Sequence, residues 1–222
     1  MLFDLRSRGR RRTVQAVYLG LAIILGGGLV LFGVGAGNGL GGLLNAFNGH
    51  GSTAGQSQAV SQQEKAAIKA TQTNPNDATA WANLVQARWS TARSTSADVN
   101  ANTGQFTDAG KQELTALGQA YQRYRGLVKQ PDPNIAVLAA RAYQYLGNYG
   151  ASTTAWEDIS QASPNQATAF ECLAVNAYAA GQTRKGDLAS SKAVSLVPKL
   201  QRTLLQSKLQ QAKTNPQAAQ SC

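Results

Sequence analysis

The chain has 222 residues and a formal net charge of +10, and most of that excess lies near its two ends. Five arginines in the first twelve residues, against Asp4 alone, give +4, and seven basic residues from Arg184 onward, against Asp187 alone, give +6. The middle is therefore close to neutral, which argues against the broad basic surface of a nucleic-acid-binding protein. The one histidine and two cysteines are too few and too widely spaced for a metal or redox motif.

Residues 13–36 are predicted to form a transmembrane helix. The 21 residues from Val14 to Val34 contain no charged side chain. At about 1.5 Å per residue, such a helix spans about 30 Å, the thickness of the hydrocarbon core of a bilayer. The basic segment 1–12 should remain cytoplasmic, which would make the protein a single-pass protein of the cell membrane with its remainder outside. The competing interpretation is a cleaved signal peptide, whose apolar region is usually shorter.

Residues 37–62 are predicted to be a flexible linker. They are mostly Gly, Asn, Ser, Ala and Gln, so they bury too little apolar surface to offset the entropy of ordering. The more apolar patch 40–47 would form a short helix at the membrane interface. His50, the only histidine, lies in this linker without partners at catalytic or metal-ligand spacing, and it is interpreted as a solvated loop residue.

From residue 63 to 213 the pattern of apolar residues, caps and prolines predicts an all-α domain. A polar stretch, 94–104, separates the second and third helices. The last helix is expected to pack Leu200, Leu204 and Leu209 against the preceding repeat, and 214–222 is expected to be a flexible tail. The predicted helices are Glu64–Thr73, Ala78–Ala92, 107–128, Asn134–Leu146, Tyr149–Gln161, Gln166–Ala180, Thr183–Leu196 and Lys199–Lys213.

A repeat of 34 residues is visible in this domain, since Pro164 and Pro198 are 34 residues apart. The unit before Pro198 holds Phe170, Leu173, Ala174, Gly181, Gly186 and Ala193; one period earlier lie Ala136, Ala139, Ala140, Tyr143, Gly147, Ser152, Trp156 and Ile159. Small residues allow two helices to cross closely, and a proline ends each unit. The predicted organisation is a degenerate first unit (63–130), repeats at 131–164 and 165–198, and a capping helix at 199–213.

Over residues 64–198 this pattern resembles the tetratricopeptide repeat (TPR) family, and the N-terminal arrangement resembles bacterial single-span TPR proteins. Some of those proteins assist clients emerging from the Sec translocon. The resemblance implies a short solenoid of helical hairpins whose first helices line a groove for a protein or peptide. Carried over by repeat position, the groove residues are Thr79, Ala82, Gln86 and Trp89; Asn134, Val137, Arg141, Gln144 and Tyr145; and Thr168, Glu171, Val175 and Tyr178. Alternatively, the groove binds nothing or is filled by the chain's own last helix.

The sequence contains no catalytic constellation, so neither enzymatic activity nor a cofactor is expected. Glu157 and Asp158 are adjacent on a helix and should point in different directions. The favoured function is a membrane-anchored, extracytoplasmic protein-interaction module, a scaffold or chaperone-like binder of exported or envelope proteins. The alternatives are a self-associating structural protein, or binding of anionic lipid or nucleic acid through the basic C-terminal helix.

The two cysteines allow two interpretations. Cys172 and Cys222 could form a disulfide in an oxidising compartment, tying the C-terminal tail to the last repeat. Otherwise Cys172 is a small core residue and Cys222 a free terminal thiol. The sequence does not decide between them.

Overall fold

The computed structural model describes residues 53–94, 98–100 and 103–222, with side chains from Val60 onward. The chain divides into two units, Met1–Thr53 and Ala54–Cys222, and the second contains almost all of the described residues. The predicted cytoplasmic end, the transmembrane helix 13–36 and the linker up to residue 52 lie outside them. Within the described ranges, none of the helices is both long enough and apolar enough to cross a bilayer.

The fold of Ala54–Cys222 is all-α, as predicted. Its only described β feature is an isolated antiparallel bridge between Val99 and Phe106. The elements in chain order are α1 (Thr53–Thr73), α2 (Ala78–Ser94), α3 (Asp108–Leu127), α4 (Pro133–Tyr145), α5 (Tyr149–Ala162), α6 (Ala167–Ala179), α7 (Thr183–Leu196), α8 (Lys199–Ala212) and a 3₁₀ helix (Pro216–Ser221).

Helix boundaries agree with the predicted ones to within two residues, except at the start of α1. That helix begins at Thr53, inside the predicted linker, rather than at Glu64. The intervening residues are mainly Ala, Gln and Ser without proline. Ala and Gln have high helix propensity, so a helix formed over 64–73 can extend toward the N-terminus at little cost. The linker assignment for residues 53–62 was therefore wrong.

The helices stack as three successive hairpins. Helix α2 packs on α3, α4 on α5, and α6 on α7, while α3–α4, α5–α6 and α2–α4 contacts join each hairpin to the next. Polar N-cap residues begin helices α3 and α4, as the sequence pattern predicts. For example, the Thr107 hydroxyl accepts from the Gly110 N–H at the start of α3. Asp132 accepts from the Asn134 N–H at the start of α4.

The second and third hairpins share one turn, repeated after 34 residues. Gly147 and Gly181 both have a positive φ, +69° and +72°, which glycine adopts without a Cβ penalty. The N–H of the residue after each glycine donates to the carbonyl five residues earlier, Asn148 to Tyr143 and Gln182 to Ala177, at 2.8 Å in both cases. This is the hydrogen-bond pattern of a Schellman helix end. The 34-residue structural period is thus confirmed at the level of these turns.

Small residues lie where the helices of the stack approach most closely. Ala139, Ala140 and Ala174 are completely buried, and the buried Ser152 hydroxyl donates to the Ala140 carbonyl oxygen at 3.0 Å. Trp156 of α5 belongs to the same core and is 5% exposed. These positions form the core, so they stabilise the fold and do not contribute to a binding surface.

Helix α8 packs against α6 and α7, but through a different face from the predicted one. Leu209 and Ala212 are buried, whereas Leu200 is 97% and Leu204 is 76% exposed. Leu205, Leu209 and Ala212 have the i, i+4, i+7 spacing of an apolar helix face. Leu200 and Leu204 fall outside that face, so the prediction that they pack on the last repeat was wrong.

The tail, residues 214–222, is ordered, which corrects the prediction that it is flexible. Its 3₁₀ helix packs on α4, α6 and α8, and Ala219 is completely buried. Cys222 forms a disulfide with Cys172 of α6, with 5.6 Å between their Cα atoms. Of the two interpretations of the cysteines, the structure therefore contains the disulfide.

Candidate functional site

An open cleft of about 300 Å³ lies between α2, α4 and the tail. Four of the residues predicted from repeat position line it: Trp89 from α2 and Arg141, Gln144 and Tyr145 from α4. Arg93 of α2 lines it as well, one helical turn after Trp89. We call the cleft formed by Trp89, Arg93, Arg141, Gln144 and Tyr145 the aromatic cleft. Gln220, Ser221 and Cys222 of the tail form its other wall.

Three aromatic rings meet at the aromatic cleft. Tyr145 is 56% exposed, and its ring centroid is 6.4 Å from that of Trp89 and 4.7 Å from that of Phe106, which it meets edge-on. Phe106 was not among the predicted groove residues because it lies in the loop between α2 and α3. A single aromatic residue just after the polar stretch 94–104 was the only sequence signal for it. The exposed ring of Tyr145 and the half-buried ring of Trp89 offer apolar area at low cost in conformational entropy.

Two arginines make the aromatic cleft positively charged. The guanidinium of Arg93 lies 5.3 Å from the centroid of Trp89, and Arg141 is exposed. Within the described part of the chain, no carboxylate forms an ion pair with either guanidinium. Arg88, five residues before Arg93 and on a different face of α2, is by contrast held by Glu64 at 3.3 Å and Glu113 at 2.8 Å. The two unpaired guanidiniums could each bind a carboxylate through two parallel hydrogen bonds.

The other predicted residues of the first two units lie outside the aromatic cleft. Gln86, with Thr79 and Ala82, lines a separate hollow of about 370 Å³ formed with the end of α3 and the start of α4. The Asn134 side chain donates to Asp132 at 3.0 Å beside the α4 cap. Val137 is half-buried against the core. The predicted groove is thus divided into two separate hollows.

In the third unit, three of the four predicted groove residues are buried or are bonded to other helices of the domain. Val175 is buried, and the carboxylate of Glu171 forms an ion pair with Lys208 of α8 at 2.6 Å. The Tyr178 hydroxyl donates to Asp187 of α7 at 2.9 Å. Burial, followed by this hydrogen bond, raises the pKa of Tyr178 to about 12. Thr168 remains exposed at the start of α6.

The tail lies on a buried polar floor between α4 and α6. The side-chain amide of Gln144 donates to the Ala219 carbonyl oxygen at 2.9 Å and to Asn176 Oδ1 at 3.2 Å. Asn176, which is completely buried, donates in turn to the Cys172 carbonyl oxygen at 2.8 Å. The expectation that the chain's own last helix fills the groove is therefore close to what is observed, but the tail beyond that helix does so.

The adjacent acids Glu157 and Asp158 point to different elements. Glu157 pairs with Lys185 of α7 at 2.6 Å. Asp158 is buried and accepts from Arg125 at 2.6 Å and from the Tyr121 hydroxyl at 2.7 Å, which joins α5 to α3. Burial, then the hydrogen bond to Asp158, raises the pKa of Tyr121. Among the described residues, no group of three or more His, Cys, Asp or Glu side chains could hold a metal ion.

No protein-family model, no curated protein and no solved structure matches this chain. What the aromatic cleft does must therefore be inferred from its own geometry and charge.

Proposed function

We propose that this protein is a membrane-anchored protein-interaction module of TPR type that binds an extended segment of an exported or envelope protein. The segment would lie in the aromatic cleft, with its carboxylates on Arg93 and Arg141 and its apolar side chains on Trp89 and Tyr145. The protein would act as a scaffold or a chaperone-like binder on the extracytoplasmic side of the membrane. No chemical step is involved in this role.

The observation that carries this proposal is the way in which the tail packs on the domain. Its residues lie as a peptide against the first helices of the second and third hairpins, with a main-chain carbonyl bound by Gln144. A surface that accepts one peptide through its main chain is suited to accept another. The aromatic cleft continues this surface toward α2 and is open to solvent.

The chemistry of the cleft favours a partner segment with acidic and apolar residues. Arg93 stacked on Trp89 presents a planar, weakly hydrated cation with an apolar face below it. Tyr145, which lines the same cleft, offers a ring that is 56% exposed. Aromatic and arginine side chains are the types that most often dominate binding energy at protein interfaces.

Two features support the proposed location. The arginine-rich segment 1–12 followed by an uncharged apolar run has the charge pattern of a single-pass anchor with a cytoplasmic N-terminus. The Cys172–Cys222 disulfide is typical of proteins outside the reducing cytoplasm. Both features favour an extracytoplasmic repeat domain.

Binding of anionic lipid or nucleic acid through the basic C-terminal helix is less well supported. Lys208 and Lys213 are already paired with Glu171 and Asp187 at 2.6 and 2.7 Å. Paired lysines contribute less to the charge-driven attraction that such partners require.

The proposal is tested by placing a photo-crosslinking residue at position 145 of the full-length chain in its native cells and identifying the adducts by mass spectrometry. The matched control carries the same residue at position 200, since Leu200 is fully exposed but lies on α8, outside the cleft. We expect recurrent adducts with exported or translocon proteins at position 145 and not at 200. Arg93→Gln together with Arg141→Gln should reduce their yield.

Three outcomes would overturn the proposal. Equal adducts at both positions would indicate non-specific contact. Adducts only between copies of this chain would favour the self-associating structural protein. No adducts at position 145, with intact protein present, would mean that the aromatic cleft is not the binding surface.

A further inference from the structure

The contact between the tail and the body of the domain is small apart from its covalent link. Ala219 is its only completely buried side chain, whereas Pro216, Gln217, Gln220 and Ser221 are exposed. One hydrogen bond from Gln144 reaches the tail's main chain. A six-residue 3₁₀ helix has little stability of its own, so these contacts depend on the disulfide to keep the segment in place.

The surface beneath the tail is polar and shaped for main-chain groups. We call Gln144, Cys172 and Asn176 the α4–α6 floor. All three are at most 5% exposed, and the Gln144 amide uses one N–H for Asn176 and directs the other at the tail's carbonyl. Ala219 of the tail is completely buried where the tail packs on the domain, so a bulky side chain at this point would not fit.

The two cysteine residues of the disulfide differ in exposure. Cys172 is 4% exposed, whereas Cys222 is half-buried at the end of the chain, beside the open cleft. A thiolate from solvent would therefore attack Sγ of Cys222. The S–S bond breaks, a mixed disulfide forms at Cys222, and Cys172 leaves as a thiolate that takes up a proton. The second thiol of a dithiol reductant then releases Cys222, so the protein gains two electrons and two protons and the dithiol is oxidised.

We propose that the α4–α6 floor is a second peptide-binding surface, for an extended segment with small side chains, and that the Cys172–Cys222 disulfide keeps the chain's own tail on it until a dithiol reductant releases it. This inference rests on the proposed function, because it describes how the partner-binding surface is enlarged. In the disulfide form only the aromatic cleft is open. In the dithiol form the partner segment extends from the cleft onto the floor in place of the tail.

The release is tested on the full-length chain by hydrogen exchange, with and without dithiothreitol. We expect the amides of Ala218 and Cys222 to exchange at least tenfold faster after reduction, while the amides of α4 and α6 stay protected relative to an unfolded chain. The Cys222→Ser variant should show the same fast exchange of the tail without reductant. Unchanged protection of the tail after reduction would overturn the proposal. So would complete loss of protection in α4, α5 and α6, because the disulfide would then hold the fold and not the tail alone.

The binding surface is tested by disulfide capture on the full-length Cys222→Ser variant, in which Cys172 is the only thiol. The probe is a peptide with the sequence of residues 214–222, equilibrated in a glutathione redox buffer. The matched control peptide carries Ala219→Phe and has the same cysteine. We expect at least tenfold more mixed disulfide at Cys172 with the first peptide, and a smaller ratio when the protein also carries Gln144→Leu. Equal capture of the two peptides would show that the floor does not select its occupant.

These experiments separate the two proposals. If the tail is released and the peptide is captured selectively, but no cellular adducts form at position 145, the inference about the α4–α6 floor is retained and the proposed binding of exported proteins is rejected. If cellular adducts form but reduction does not release the tail, the proposed protein-interaction function is retained and its control by the disulfide is rejected.

Discussion

At Gly186 the backbone of α7 approaches the ring of Tyr178 so closely that a Cβ atom would meet the ring carbons. Tyr178 cannot move away freely, because it is buried and its hydroxyl is bonded to Asp187. We expect Gly186→Ala to lower the free energy of unfolding by about 1–3 kcal/mol through overpacking. The measurement is the urea midpoint of unfolding.

Gly126 provides the matched control for this prediction. It is an exposed helical glycine in α3, and nothing lies within 4 Å of the position of its missing Cβ. Gly126→Ala should therefore stabilise the protein by about 0.4–1 kcal/mol, because alanine restricts the unfolded chain without strain. If both variants change stability in the same direction and by similar amounts, the close approach at Gly186 is not the cause.

At the scale of elements, the two faces of the amphipathic helix α8 differ in burial, and substitutions on each face should differ in their effect. Leu209 is completely buried and Leu200 is 97% exposed. We expect Leu209→Ala to cost about 2–5 kcal/mol in the free energy of unfolding, the range for large-to-small core substitutions. Leu200→Ala should stay within about 0.5 kcal/mol of the wild type. Equal effects, measured by urea unfolding, would contradict the observed orientation of α8.

The end of α8 is also joined to α7 by a pH-dependent contact. Hydrogen bonds from Lys213 and then from Tyr178 lower the pKa of Asp187. Because the folded-state pKa is depressed, the stabilisation is present above the ordinary aspartate value of about 4 and is lost as the pH falls through the lowered value.

The stability difference between the wild type and Asp187→Asn should therefore be constant near neutral pH and shrink below about pH 4. It is measured from urea midpoints between pH 6 and pH 2. Lys213→Gln should reduce the same pH dependence. A difference that persists unchanged at the lowest pH would show that the carboxylate charge is not responsible.

At the scale of the whole molecule, one covalent bond closes a loop through the last hairpin. Cys172 and Cys222 are 50 residues apart, so their disulfide restricts the unfolded chain across α6, α7, α8 and the tail. We expect Cys222→Ser to lower the free energy of unfolding by about 2–4 kcal/mol. Dithiothreitol should lower the stability of the wild type by a similar amount and have no further effect on the variant. Equal urea midpoints for the oxidised and reduced wild type would contradict this expectation.

Local signals account for the parts of the fold that were predicted well. Gly147 and Gly181 adopt the positive φ that the turns after α4 and α6 require. Pro164 and Pro198 follow the ends of α5 and α7. Each acts within one turn of the backbone, so the sequence pattern is enough to place the helix boundaries. The same reasoning was insufficient at α1, where residues of good helix propensity were interpreted as a linker.

The candidate site was predicted only in part, because repeat position specifies a face of a helix and not what covers that face. Trp89, Arg141, Gln144 and Tyr145 do converge. Glu171 is also a predicted groove residue, one period after Val137, but it is paired with Lys208, which comes from 37 residues further along the chain. Phe106 packs edge-on against the Tyr145 ring from a loop that has no place in the repeat. Such partners are set by long-range packing, which a repeat frame does not contain.

The sequence by itself determined the helical class of the described domain, its hairpin turns and its 34-residue spacing, because caps, glycines, prolines and apolar periodicity all act over a few residues. Only the tertiary structure decided which face of α8 is buried, that Cys172 pairs with Cys222, and that the tail lies on the α4–α6 floor. Those outcomes depend on groups that are distant in sequence and meet only when the hairpins have stacked. Which surface of the domain stays open to solvent is therefore a property of the assembled fold, since the chain's own last residues cover part of it.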